Sequence, residues 1–148
     1  MEYLQCVYAF ASCVGFCILL HIRGSSIFWM SLGGAIGWFV YLLCAPAQND
    51  LLQYFVGTIA LAVYAEIMAR VRRAPATGYL HVALLPMVPG GGIYYTMEYG
   101  IAGNTERFLE TGMHTLGIAG SLALGILVVS SVARIAALMG EERRARRL

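Results

Sequence analysis

The stretch "PMVPGGGIYY", Pro86 to Tyr95, places two prolines and three consecutive glycines inside one of the most apolar parts of the chain. Proline lacks the amide hydrogen and clashes with the preceding turn, and glycine loses the most backbone freedom on ordering. The surrounding residues read as a membrane crossing, where lipid offers backbone groups no hydrogen-bond partner. The stretch therefore predicts a discontinuous helix, with one half ending before Pro86, a turn over residues 86–91, and a second half starting near Ile93. Such a break is tolerated where protein shields it or where it lines a polar cavity. The second half would begin with free amides and the positive end of a helix dipole at depth, a geometry suited to a carboxylate. The plainer reading is a proline kink that shapes packing, and the clustering of prolines with a triple glycine argues against it. A phosphate-cradling loop fits poorly, because no Gly-Lys-Ser/Thr follows the glycines.

Composition supports lipid as the solvent. Hydrophobic residues make up 59% of the 148 and charged residues 12%, where a soluble domain carries about twice that charge fraction. A water-soluble fold of this length has no interior large enough for so much apolar surface. All ten basic residues are arginine. Seven of them cluster at Arg70/Arg72/Arg73 and Arg143/Arg144/Arg146/Arg147 rather than forming the basic face that nucleic-acid binding requires, so no nucleic-acid partner is expected. Cys6, Cys13, Cys17 and Cys44 lie in apolar runs without Cys-x-x-Cys spacing and read as compact buried thiols. No metal or cofactor is expected. The opening "MEYLQC" lacks a basic leader and a cleavage site, which reads as a mature N-terminus passing directly into the bilayer.

A helical crossing takes about 20 apolar residues, and five segments qualify: residues 3–22, 27–44, 51–69, 79–103 and 113–139. The fold class expected is all-α, a single polytopic membrane domain over residues 1–148 with the fourth of five spans broken at the Pro/Gly motif. The connections "RGSS", "APAQND", "RVRRAPATG" and "NTERFLETG" are short. Arg23, the Arg70 cluster and the C-terminal arginines alternate with basic-poor segments, which puts the N-terminus outside and the C-terminus in the cytoplasm. Small residues recur at every fourth position in Ala11/Gly15, Gly33/Gly37 and Gly117/Ser121/Gly125, the spacing that lets membrane helices approach closely within or between chains.

The candidate pathway residues are Pro86, Pro89, Gly90, Gly91 and Gly92 at the break, with Tyr94, Tyr95 and Thr96 after it as hydroxyl donors to a polar ligand. Two readings stand for Glu66 and Arg70: an interfacial ion pair at i,i+4, or a cytoplasmic gate or proton site. Glu98 is either an outward glutamate in a tyrosine belt or, facing inward, a proton-coupling group. His21, His81 and His114 fall near the expected membrane boundaries and read as interfacial residues.

The run "FVGTIALAVYAEIMARVRRAPATGYLHVALLPMVPGGGIYYTM", Phe55 to Met97, resembles the threonine/serine exporter family, and within it the branch of small five-span subunits. "GFCILLHIRGSSIFWMSLGGAIGWFVYLL", Gly15 to Leu43, is similar to that branch's first hairpin. The most specific elements are the Ala-Arg-x-x-basic-Ala-Pro-Ala run and Pro-x-Val-Pro-Gly-Gly-Gly-x-Tyr, which mark Glu66, Arg70, Pro75, Pro86, Pro89 and Gly90 as motif positions. The resemblance implies an inner-membrane exporter of small polar metabolites, of the threonine/serine type or a dicarboxylate such as succinate. It further implies a larger partner subunit of the same family, with homo-oligomers also open. Single-chain members look like two five-span halves, and this chain resembles the second. The competing expectation is a non-transporting scaffold or assembly factor whose break shapes a docking surface. Intramembrane hydrolases are disfavoured, since neither His-Glu-x-x-His nor a positioned Ser–His pair is present.

Overall fold

The computed structural model describes residues 4–145, and the side chains of these except at positions 47 and 140–145. Tyr3, the expected start of the first crossing, and the side chains of Arg143, Arg144, Arg146 and Arg147 lie outside the described residues. The described chain is helical without strands. Its helices are α1 (Leu4–Leu19), α2 (Ser26–Leu43), α3 (Asp50–Arg72), α4 (Ala76–Leu84), α5 (Gly90–Ile101) and α6 (Thr105–Ala145). Short 3₁₀ turns occupy Ala45–Ala47 and Leu85–Met87.

Local chemistry sets the helix ends. Asn49 caps α3 by accepting from the Leu52 amide at 3.3 Å, and Asp50 in the first turn suits the positive helix end. Arg70 and Arg72 occupy the last turn, after which Arg73 turns left-handed with φ of 52°. Asn104 caps α6 in the same way, accepting from the Arg107 amide at 3.2 Å. The preceding turn needs the positive φ of Gly103.

Helix α2 packs against α1, α3 and α4, while α3 packs against α2, α4 and α6. Short α4 is the most enclosed: Tyr79, Val82 and Ala83 are buried, as is Met87 in the turn after it. They meet Cys13, Cys17, Met30, Ala65 and Met68 on one level and Leu61, Ala62, Ile118 and Leu122 on the next. The absence of side chains at Gly33, Gly34, Gly37 and Gly57 makes this possible. A Cβ on Gly33 would lie 3.0 Å from that of Ala83, and one on Gly37 2.9 Å from Leu61 Cδ2. The Cys13 thiol donates to the Val82 carbonyl at 3.3 Å, tying α1 to α4. The Gly33/Gly37 and Gly117/Ser121/Gly125 stripes thus pack within the chain, whereas nothing lies within 4 Å of a Cβ on Gly15.

Helices α3 and α6 run parallel. His114 stands beside Asp50, Gly117 beside Leu51, Gly125 beside Thr58, and Ala133 beside Arg70. Helices α5 and α6 form an antiparallel hairpin, with Gly92 against Thr115, Thr96 against Gly112 and Gly100 against Phe108. Residues 105–113 of α6, about 14 Å of helix at ~1.5 Å per residue, therefore extend past the first turn of α3 together with most of α5.

Several boundaries differ from the sequence expectation. Among the described residues, three helices are long and apolar enough to cross a membrane: Ser26–Leu43, Asp50–Arg72, and Thr105–Met139 within α6. Helix α1 has 16 residues and is shorter than that standard. The expected fourth span, 79–103, is divided between α4 of nine residues and α5 of twelve. The segment "NTERFLETG", expected as a connection, is helical from Thr105 onward. Its charges lower the local hydropathy, but Asn104 caps it and α5 packs along it, so the helix begins two turns early.

Adding a methyl group at Gly125 would place it 2.9 Å from Thr58 Cβ and 3.2 Å from the Phe55 carbonyl, whereas Gly120 faces open space. Gly125→Ala is expected to destabilise the fold by about 1–3 kcal/mol through overpacking. Gly120→Ala is expected to be neutral or mildly stabilising. Thermal unfolding of both variants in detergent measures the difference.

Candidate functional site

The helix stops at Leu84 because Pro86 and Pro89 each remove an amide donor. Leu85–Met87 tighten into a 3₁₀ turn, Val88 is extended with ψ of 128°, and Pro89 caps α5. The glycines are not unwound as expected: Gly90, Gly91 and Gly92 form the first turn of α5. Gly90 donates to the Val88 carbonyl at 2.7 Å and Ile93 to the Pro89 carbonyl at 3.1 Å. The Gly91 and Gly92 amides belong to the first turn, where a helix supplies no acceptor of its own.

The break is packed on one side and open on the other. Met87 is fully buried, its sulfur and terminal methyl lying close to Gly37 and Gly57. Pro86 is half-buried and lines a groove of ≈ 350 Å³ with Gln5, Tyr8, Ala9, Ser12 and Trp38. Gly92 lies against Thr115, while nothing stands within 4 Å of a Cβ on Gly90 or Gly91. Met87 sits beside Gly57, about 10 Å along α3 from Asp50, and Gly92 is level with the Asp50 end. The exposed amides thus lie between the middle of α3 and its first turn.

The remaining candidates do not converge on one cavity. Tyr94 and Tyr95 are exposed, their rings edge to face at 5.4 Å. Thr96 turns inward along its own helix, its hydroxyl donating to the Gly92 carbonyl at 2.7 Å. Glu98 is exposed beside Tyr94, Met97, Ile101 and Ala102, on the outward face of α5. Glu66 and Arg70 are far from the break, in a groove of ≈ 360 Å³ between α3 and α6 whose other walls include Val63, Val128 and Val132. They do not pair: Arg70 Nη2 donates to the Ala133 carbonyl at 3.3 Å, and among the described residues the close acid–base contact is His114–Asp50 at 3.7 Å.

Sequence reasoning missed a polar recess of ≈ 460 Å³ lined by Tyr99, Arg107, Glu110, Thr111 and His114, between α5 and α6. Reading "NTERFLETG" as a connection concealed it. The usable signal was the 107, 110/111, 114 spacing, one face of a helix.

A helical fold in which three helices among the described residues are long and apolar enough to cross a membrane defines a helical membrane protein. A family profile described as "Threonine/Serine exporter, ThrE" matches residues 5–132, and the chain belongs to that family. It is a family of transporters, not enzymes. Comparison with curated proteins and with solved structures finds no match.

The two exposed glycines and Gly92 should respond differently to the same change. Gly91→Ala is expected to leave unfolding unchanged or to stabilise by about 0.4–1 kcal/mol, since it meets open space. Gly92→Ala is expected to lower the unfolding midpoint, because the new methyl meets the Thr115 side chain.

Proposed function

We propose that this chain is one subunit of a secondary exporter for small polar metabolites, working in the cytoplasmic membrane with a larger subunit of its family. The substrates are threonine- and serine-type amino acids, with a dicarboxylate such as succinate as the second class. The chain crosses five times, α4 and α5 together making the fourth crossing, with the N-terminus outside and the C-terminus in the cytoplasm. Arg23, Arg70, Arg72 and Arg73 at one end, against Arg107 alone with Asp50, Glu106 and Glu110 at the other, support that orientation.

The observation that carries the reading is the one-sided cover of the break. Backbone amides inside the apolar layer demand a partner or an aqueous cavity; Gly90 is bonded to Val88, but the Gly91 amide has no acceptor in the first turn, and nothing in this chain lies within 4 Å of a Cβ on Gly91. A partner subunit closing over this turn would enclose a passage with helix-end amides on its wall, suited to a substrate carboxylate. Pro86, Pro89, Gly90, Gly91 and Gly92 form this chain's side of the pathway, with Tyr94, Tyr95 and Thr96 following. Glu66, Arg70 and Glu98 serve gating or proton coupling. Glu66 supports the gating role best, as a half-buried carboxylate in a largely apolar groove that it shares with Arg70 without forming an ion pair.

The alternative is a scaffold that only docks its partner at the break. Efflux of threonine, serine and succinate from cells with this chain, its larger partner, or both separates the two. The proposal expects flux only when both are present. Substituting Gly90→Leu and Gly91→Leu, which meet no neighbour within this chain, is expected to cut that flux at least tenfold while the two subunits still co-purify. Lost co-purification with no flux in any combination supports the scaffold.

A further inference from the structure

The polar recess between α5 and α6 lies where the α3-facing stripe of α6 outruns α3. Along α3 that stripe is buried and mostly apolar, through Ile118, Leu122, Gly125 and Val129. Beyond Asp50 it turns polar, through His114, Thr111, Glu110 and Arg107. The opposite side of the same hairpin is lined by Ile93, Met97, Leu109, Met113 and Leu116. A segment solvated all round would not divide its surface in this way. The polar side overhangs the start of α3, where His114 Nε2 reaches Asp50 Oδ2 at 3.7 Å.

The charges in the recess are not committed to one another. Arg107 lies over the Tyr99 ring at 5.7 Å, which fixes its direction while leaving the edge of its guanidinium free to donate. Glu110, one turn along the same face, has no hydrogen-bond or ionic partner among the described residues. A cation and an anion one turn apart on the same helix face, in a recess that Thr111 and His114 also line, match a molecule carrying an ammonium and a carboxylate on one carbon.

We propose that Tyr99, Arg107, Glu110, Thr111 and His114 form a binding site for zwitterionic α-amino acids at the Asp50 end of the bundle, a vestibule distinct from the Pro/Gly break. The inference rests on the exporter reading for its physiological role, but not for its chemistry. Arg107 takes the carboxylate through paired N–H donors, Glu110 takes the ammonium, and Thr111 and His114 contact a hydroxylated side chain.

The test is calorimetric titration of the purified chain in lipid nanodiscs with L-threonine, 3-hydroxybutyrate (no ammonium) and threoninol (no carboxylate). Arg107→Gln and Glu110→Gln are each expected to weaken L-threonine binding about tenfold or more, the loss of one charge-assisted contact. Arg107→Gln should weaken 3-hydroxybutyrate and spare threoninol, and Glu110→Gln should do the reverse. Arg107→Lys should recover part of the loss, and unchanged unfolding midpoints confirm intact folds. Absence of L-threonine binding to the unsubstituted chain, or equal binding by both variants, overturns the site. Efflux measured in parallel separates the two readings. Flux unaffected by either substitution removes the vestibule and leaves the exporter standing, while binding without flux from the unsubstituted pair removes the exporter and leaves the site.

Discussion

A backbone amide in hydrocarbon has no solvent to bond to, and the arrangement of this chain follows from where that rule is met and where it is strained. Along α2, α3 and α6 the helix ladder satisfies it. Between Leu84 and Gly90 two prolines make a continuous ladder impossible, so the chain recovers what it can through a 3₁₀ turn and the short Gly90–Val88 bond. Close packing holds the interruption in place. Gly34, Gly37 and Gly57 let Pro86 and Met87 approach the backbones of α2 and α3. Beyond there Gly90 and Gly91 are left exposed, while Gly92 rests on Thr115 of α6.

The parallel register of α3 and α6 determines which parts of the molecule are bundle and which are not. Asp50 beside His114 and Arg70 beside Ala133 mark two ends of one apolar layer. The roughly 20 residues of α6 between them match the thickness of a hydrocarbon core. Tyr94 and Tyr95 fall near the Asp50 boundary, where aromatic rings favour the headgroup region. The α5–α6 hairpin beyond it carries a polar side and an apolar side, and most residues near its tip are exposed.

Much of the architecture was legible from the residues. Apolar length located α2 and α3 closely, and Pro86 with Pro89 located the interruption. Family membership was legible from Phe55–Met97 and the first hairpin, and the matched range 5–132 agrees. The glycines misled in detail, because glycine at the first turn of a helix is as tolerable as glycine in a loop, and pattern alone does not separate the two. The start of α6 was obscured by Glu106, Arg107 and Glu110, which read as a water-facing connection until α5 is seen lying against them. The Glu66–Arg70 spacing suggested an ion pair, yet the arginine reaches across to the Ala133 carbonyl on another helix. Sequence spacing fixes which side chains share a helix face, but not which neighbour claims them.

Helix α6 is the longest element of the described chain. At 41 residues it is a rod about 60 Å long, joining the hairpin at one extremity to the arginine-rich tail at the other. Gly125, at its midpoint, sits directly on Thr58 of α3. A stiff beam resting on such a fulcrum swings its extremities in opposite senses. Tilting the hairpin toward the bundle axis would therefore carry the opposite end of α6 away from it, without any change in the beam itself.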